Sequence, residues 1–241
     1  MTVRVVKTPV ELFQLAATEF AARASAAVRA DGRFTVALSG GSTPRNLYSL
    51  LASGSVPSIP WDKIYFFWGD ERRVPPEHRD SNYRMAYDAM LSKVPVPTEN
   101  IFRIRGEEKD AGLAAASYEQ DLQRFFGLKP GDLPRFDLVL LGLGPEGHIA
   151  SLFPDSTALD ETRRLVVANW VEKFKTYRIT LTLPVLNHAA CVMFLVSGPD
   201  KASIVKQIFE SPNAHLPAQE VHPKDGELLW LMDQSAAGDL R

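Results

Sequence analysis

His148 stands in a glycine-rich turn, Gly142-Leu-Gly-Pro-Glu-Gly-His-Ile-Ala-Ser-Leu-Phe-Pro154, directly after the continuous apolar run Phe136 to Leu141. The run reads as a strand buried on both faces, and loops at the carboxyl ends of such strands form the ligand crevice of an open parallel sheet. Glu146 lies two residues before the histidine. In an irregular loop that spacing lets a carboxylate hold one imidazole nitrogen and leave the other free to take a proton from water, which makes a general base. A hydrogen-bonded loop histidine beside a solvated glutamate is the plainer alternative.

Other strand ends carry complementary chemistry. Ser39-Gly40-Gly41-Ser42-Thr43-Pro44 separates an apolar strand from a helix start, so its backbone N–H groups and hydroxyls can close around an anion favoured by the helix dipole. The nucleotide spacing Gly-x4-Gly-Lys-Ser/Thr is absent, and a single phosphate monoester fits better. A tight turn with Thr43 capping its helix would look the same. Gly142-x-Gly144-x-x-Gly147 matches the dinucleotide fingerprint in form only, because Pro154 and Asp155-Ser156-Thr157 leave no room for the helix it requires. Asp70-Glu71-Arg72-Arg73 follows a further buried strand, so its side chains should reach the same rim. Arg72 or Arg73 could meet a phosphate or a developing oxyanion, or sit in a salt-bridged surface turn. Arg178, at the start of an alternating strand, and Lys201, at a helix start after Ser197-Gly198-Pro199, are phosphate ligands or solvated charges on the same terms. His78, His188, His215 and His222 show no metal-ligand spacing with His148, and there is no HExxH or cysteine pair, so no metal is expected.

Strands and helices alternate around these loops. Thr8-Pro9-Val10-Glu11 is a capping box opening a long helix that runs to Gly32. Phe34 to Leu38 reads as a strand, Pro44 to Ala52 as a helix, Lys63 to Trp68 as a strand and Ser81 to Val94 as a helix. Ile101 to Ile104 then reads as a strand, Asp110 to Phe126 as a helix, and Arg164 to Ala168, Tyr177 to Leu183, Cys191 to Val196 and Leu228 to Met232 as strands, with a helix from Pro199 to Phe209. This order predicts an α/β fold with a mostly parallel sheet, right-handed crossovers and helices on both faces. Ser53 to Pro60 and Ser211 to Pro223 are the richest linker candidates, yet neither divides the chain into independent halves, so residues 1–241 read as one domain.

Composition narrows the partner. With 241 residues, 45% of them hydrophobic, and a formal charge of -2, the chain can bury a substantial core and gives no reason to expect nucleic acid or an anionic membrane surface. No apolar stretch approaches the roughly 18 residues of a bilayer span. Met1 to Val10 lacks a signal-peptide core, which makes the cytoplasm the default location. A small molecule is the expected partner, bound by a monomer. The single cysteine, Cys191, lies in an apolar run and reads as a buried structural thiol.

Taken together, Ser39 to Pro44, Trp68-Gly-Asp-Glu-Arg72 with Ser81-Asn82, Gly142 to Pro154, Arg178-Ile-Thr-Leu-Thr-Leu-Pro-Val-Leu-Asn187, Ser197-Gly198 with Lys201-Ala202, Pro217-Ala-Gln219 and Leu228 to Asp233 resemble the 6-phosphogluconolactonase family over nearly the whole chain. Glucosamine-6-phosphate deaminases and ribose-5-phosphate isomerases share the general layout but lack this combination. The resemblance implies a modified Rossmann-like α/β fold, no cofactor, a phosphosugar lactone as substrate and the second step of the oxidative pentose phosphate pathway. His148, Glu146 and Arg72 become the expected catalytic set, and Ser39, Gly40, Gly41, Ser42, Thr43, Asp70, Arg178 and Lys201 the expected substrate and phosphate ligands. Two positions depart from the commonest family pattern, which has aspartate where this chain has Glu146 and threonine where it has Ile149. The longer carboxylate side chain can address the imidazole, the substrate or an arginine.

Overall fold

The computed structural model describes residues 1–56, 59–211, 214–238 and 240. Both proline-rich stretches read as linker candidates contain residues outside that set, 57–58 and 212–213.

The chain opens with β1 (Thr2–Val6) and α1 (Pro9–Asp31), then β2 (Phe34–Leu38), α2 (Ser42–Leu51), β3 (Ile64–Trp68), β4 (Asp70–Arg72) and α3 (Asn82–Ala89). It continues through α4 (Ala111–Phe126), β5 (Leu138–Leu141), β6 (Val166–Val171), β7 (Thr176–Leu181) and α5 (Leu183–Leu186). It finishes with β8 (Cys191–Val196), α6 (Ala202–Glu210), β9 (Glu227–Asp233) and α7 (Gln234–Ala237). The boundaries follow local chemistry. The Thr8 hydroxyl accepts the Glu11 N–H at 3.2 Å, Glu11 accepts the Lys7 N–H at 2.9 Å, and Gly32 closes α1 at φ 72°. Asp110 caps α4 through the Leu113 N–H.

Six strands form one parallel sheet in the order β1-β9-β8-β5-β2-β3, flanked by helices, and β4-β7-β6 form a second, antiparallel sheet. Every residue of β2, β5 and β8 is buried, as continuous apolar runs require when both faces are covered. Phe194 stacks on Trp230 at 3.8 Å, and Phe67 sits among Phe102, Phe125, Phe126 and Phe136. Cys191 is buried in β8, where desolvation pushes its thiol up to about 11. The chain reverses its direction of travel across the sheet between β2 and β5, so their two carboxyl ends open side by side into a crevice.

The short helices α5 and α7 lie outside the sequence expectation, α3 stops at Ala89 and not Val94, and three further elements differ from that expectation. The chain begins with a strand: β1 pairs with β9 although Val3 and Val5 remain exposed, so no buried periodicity marks it. Ile101 to Ile104 is not a strand. Ile101 makes one bridge to Phe66, and Phe102 then stacks on Phe67 at 4.7 Å, so side-chain packing takes the place of a ladder. Asp70 to Arg72 is a strand and not a loop: the Gly69 N–H donates to Leu38 of the first sheet while its carbonyl accepts the Leu181 N–H of the second. One residue thereby hands the chain from one sheet to the other.

Candidate active site

Strand ends leave backbone groups without ladder partners, and two buried tyrosines take up those groups at the rim of the crevice. The Tyr48 hydroxyl accepts the Ser39 N–H at 3.0 Å and donates to the Ser39 carbonyl at 2.9 Å; Tyr118 treats Trp68 in the same way at 2.8 and 3.1 Å. Thus fixed, Ser39 turns its Oγ to a buried position with no partner. Gly41 then enters α2 at φ 104°, a conformation that favours glycine, and no side chain caps the helix. Thr43 is therefore not a cap, and the first N–H groups of α2 stay open beside the Ser39 hydroxyl.

Across the crevice stands His148. Its Nδ1 lies 3.0 Å from Glu146 Oε2, so the longer carboxylate addresses the imidazole, and its ring stacks on Phe153 at 4.1 Å. A Cβ at Gly144 would overlap the imidazole, which is why the ring seats against a glycine. Burial holds the His148 pKa below the ordinary histidine value, against the opposing pull of Glu146. Burial alone would raise the Glu146 pKa, but hydrogen bonds from its own backbone, Lys173 and His148 bring it down. An ionised carboxylate only accepts, so Nδ1 carries the proton and Nε2 keeps its lone pair.

The tail of this loop is stitched to the second sheet. Ala150 takes φ 46° in a tight turn closed between Ile149 and Leu152. Ser151, wholly buried, donates its N–H to Thr180 Oγ1 and its hydroxyl to Asp70 Oδ2 at 2.7 Å, while its carbonyl accepts from Asn169 Nδ2. Asp70 also accepts from Asn82 Nδ2 at 3.1 Å. Glu71 points away from the crevice and accepts the N–H groups of Arg72, Asn82 and Tyr83 and the Ser81 hydroxyl, anchoring the start of α3.

Antiparallel pairing sets Arg72 directly opposite Arg178. Like charges so placed repel. The Arg72 Nη1 donates to the Asp80 carbonyl, both Nε atoms are buried without partners, and neither guanidinium forms an ion pair among the described residues. Burial, with the Arg72 charge second, pushes the Arg178 pKa down. Two partly buried cations side by side, neither in an ion pair among the described residues, can attract an anion, with the Asp70, Glu71 and Asp80 carboxylates acting on Arg178 from farther off.

Ser39, Gly40, Gly41, Asp70, Arg72, His148 and Arg178 line one cavity with Gly142, Leu143, Gly144 and Ala150. Ser42 and Thr43, in the first turn of α2, are not among the lining residues, and Glu146 lies behind His148. Lys201 is not brought to the wall; its Nζ pairs with Asp200 at 3.1 Å. Arg73 donates to the carbonyls of Glu108 and Lys109 on the outside. Ser151, Asn169, Thr180 and Lys173 escaped the sequence reading. Ser151 lay within the histidine segment and Thr180 within the Arg178–Asn187 segment, but no local pattern signals Asn169 or Lys173.

Comparison with known proteins agrees with this architecture. Residues 7–230 match the family described as glucosamine-6-phosphate isomerases/6-phosphogluconolactonase. A 6-phosphogluconolactonase of Nostoc sp. is 45% identical over 217 residues, covering 89% of this chain and 88% of the relative. One from Synechocystis sp. is 43% identical, covering 91% and 90%. Among solved structures, a 6-phosphogluconolactonase from Trypanosoma cruzi superposes with a TM-score of 0.88 at 30% identity, covering 99% of this chain and 96% of its own. A monomeric glucosamine-6-phosphate deaminase shares the fold at a TM-score of 0.82 and 22% identity. With the matching segment spanning the β2 turn, the arginine pair and the histidine loop alike, the chain belongs to the glucosamine-6-phosphate isomerase/6-phosphogluconolactonase family.

Proposed function

We propose that this protein hydrolyses 6-phospho-D-glucono-1,5-lactone to 6-phosphogluconate, the second step of the oxidative pentose phosphate pathway, with His148 as general base. The observation that carries the reading is a histidine whose Nε2 is left free by Glu146, set in one cavity with two guanidiniums that have no carboxylate partner. Nε2 takes a proton from water as the oxygen attacks the lactone carbonyl. The carbonyl electron pair moves onto oxygen, and Arg72 meets the oxyanion. Collapse expels the ring oxygen, which leaves as a hydroxyl with the proton returned by the imidazolium. The 6-phosphate, held by Ser39, the open N–H groups of α2 and Arg178, orients the carbonyl toward that water. The Asp70 carboxylate at the cavity wall accepts from substrate hydroxyls. All of these groups come from one chain, so the proposed chemistry calls on no residue of a second copy.

The test is the decay of lactone generated fresh from glucose 6-phosphate, measured against its spontaneous hydrolysis. Wild-type protein should accelerate it at catalytic concentration, and His148→Ala should keep phosphosugar binding while losing on the order of 10²- to 10⁴-fold in kcat. Because the folded histidine pKa is depressed, the neutral base persists at pH 7, and kcat/KM should fall only as pH drops below the ordinary value of about 6.5. No acceleration overturns the lactonase reading and directs attention to glucosamine 6-phosphate, whereas full activity in the variant overturns the assignment of His148 as the base.

A further inference from the structure

The tip of the β6–β7 hairpin, residues Glu172–Phe174, reaches three parts of the site without lining the cavity. Lys173 Nζ donates to Glu146 Oε1 at 3.1 Å, while Oε2 of the same carboxylate takes the His148 Nδ1. The neighbouring Phe174 meets Phe153, the ring that stacks on His148, and carries the Arg178 guanidinium over its face at 4.7 Å.

We propose that Lys173 is a positioning residue that acts through Glu146 to orient His148 and set its basicity, without contact with the substrate. The argument rests on the reading of His148 as the base. Glu146 has one more rotatable bond than an aspartate, so contact with the imidazole alone leaves it more rotamers to lose. A second tether, on the other carboxylate oxygen, selects the rotamer that faces Nδ1. Three charges act on the imidazole from the surrounding elements, Glu146 on its own loop, Asp70 on β4 and Arg178 on β7, and Lys173 stands one contact behind Glu146. Lys173 offsets part of the Glu146 field. Its removal strengthens the attraction of Glu146 for the imidazolium and raises the histidine pKa, whereas removal of the Glu146 charge lowers it. The lysine is 57% exposed, so solvent screens the effect to that of a surface pair.

The experiment is ¹⁵N titration of the His148 imidazole in free wild type, Lys173→Met, Lys173→Arg, Glu146→Gln and the Lys173→Met/Glu146→Gln double variant, with kcat and KM for each. Lys173→Met should move the titration to higher pH and reduce kcat by roughly two- to fivefold with KM held. Glu146→Gln should move the titration to lower pH, Lys173→Arg should keep wild-type behaviour, and the double variant should match Glu146→Gln in kcat. An unmoved titration in Lys173→Met, equal effects on kcat in both backgrounds, or a rise in KM alone would overturn the proposal. The titration needs no turnover, so a wild type inert toward the lactone would defeat the lactonase reading and leave this one to be decided separately.

Discussion

The turn after β2 is anchored from beneath, by one tyrosine hydroxyl that takes both the N–H and the carbonyl of Ser39. The turn after β5 is gripped from several sides: Phe153 under the imidazole, Glu146 and Lys173 behind it, Thr180, Asn169 and Asp70 on Ser151, and the Ala218 N–H on the Gly147 carbonyl. On the proposed function, the contrast follows from two tasks. An anion is held by backbone N–H groups, which a strand end and a helix start supply wherever the chain can bend closely enough. A base needs a chosen tautomer, a ring plane and a depressed pKa, which side chains of its own turn, Glu146 and Phe153, help to set while the turn itself is held by side chains from elsewhere. The second sheet supplies Asp70, Asn169 and Thr180, which hold Ser151 at the end of that turn.

Three perturbations would break or sharpen this contrast. Gly144→Ala strikes the histidine side hardest, since the new methyl group overlaps the ring while the backbone angles suit alanine. Displacement of the base by about 1 Å should cost on the order of 10²-fold in kcat, with the far-ultraviolet circular dichroism spectrum unchanged. An unaffected kcat would show that the ring does not need its present seat.

Arg178→Met strikes the anion side and should separate binding from stability. Loss of a charge-assisted contact of roughly 1.5–3 kcal/mol should raise KM by about 10- to 100-fold. Burial disfavours the charged arginine in the folded state, so the variant should melt higher than wild type in phosphate-free buffer. Inorganic phosphate should raise the wild-type Tm and leave that of the variant nearly still. A lower Tm in buffer would mean that the guanidinium stabilises the fold.

Tyr48→Phe should have the smallest effect on catalysis. It leaves two buried backbone groups of Ser39 unpaired, a loss of about 1–3 kcal/mol that urea unfolding would read, with a change in KM of only a few-fold. A large fall in kcat with little loss of stability would instead place the β2 turn at the reacting carbon.

Much of the site was legible in the sequence because its loops follow apolar runs. The β2 and β5 turns could be located from hydrophobic pattern and glycine spacing alone, and both line the cavity. Their partners could not. Asp70 meets Ser151 across 81 positions, and Arg72 meets Arg178 only through the register of β4 on β7. Glu71 and Arg73 sit beside Arg72 in sequence, yet one anchors α3 and the other binds outer carbonyls.

The amino-acid sequence by itself determined the alternation of strands and helices, the carboxyl-end loops and the residue types they carry, because burial and turn chemistry act over a few neighbours. Tertiary structure alone decided that Asp70–Arg72 would be a strand, that Arg72 and Arg178 would face one another with neither in an ion pair among the described residues, and that Lys173 would reach Glu146. Those outcomes depend on pairing register between distant segments, and no short window of residues contains both sides of such a contact.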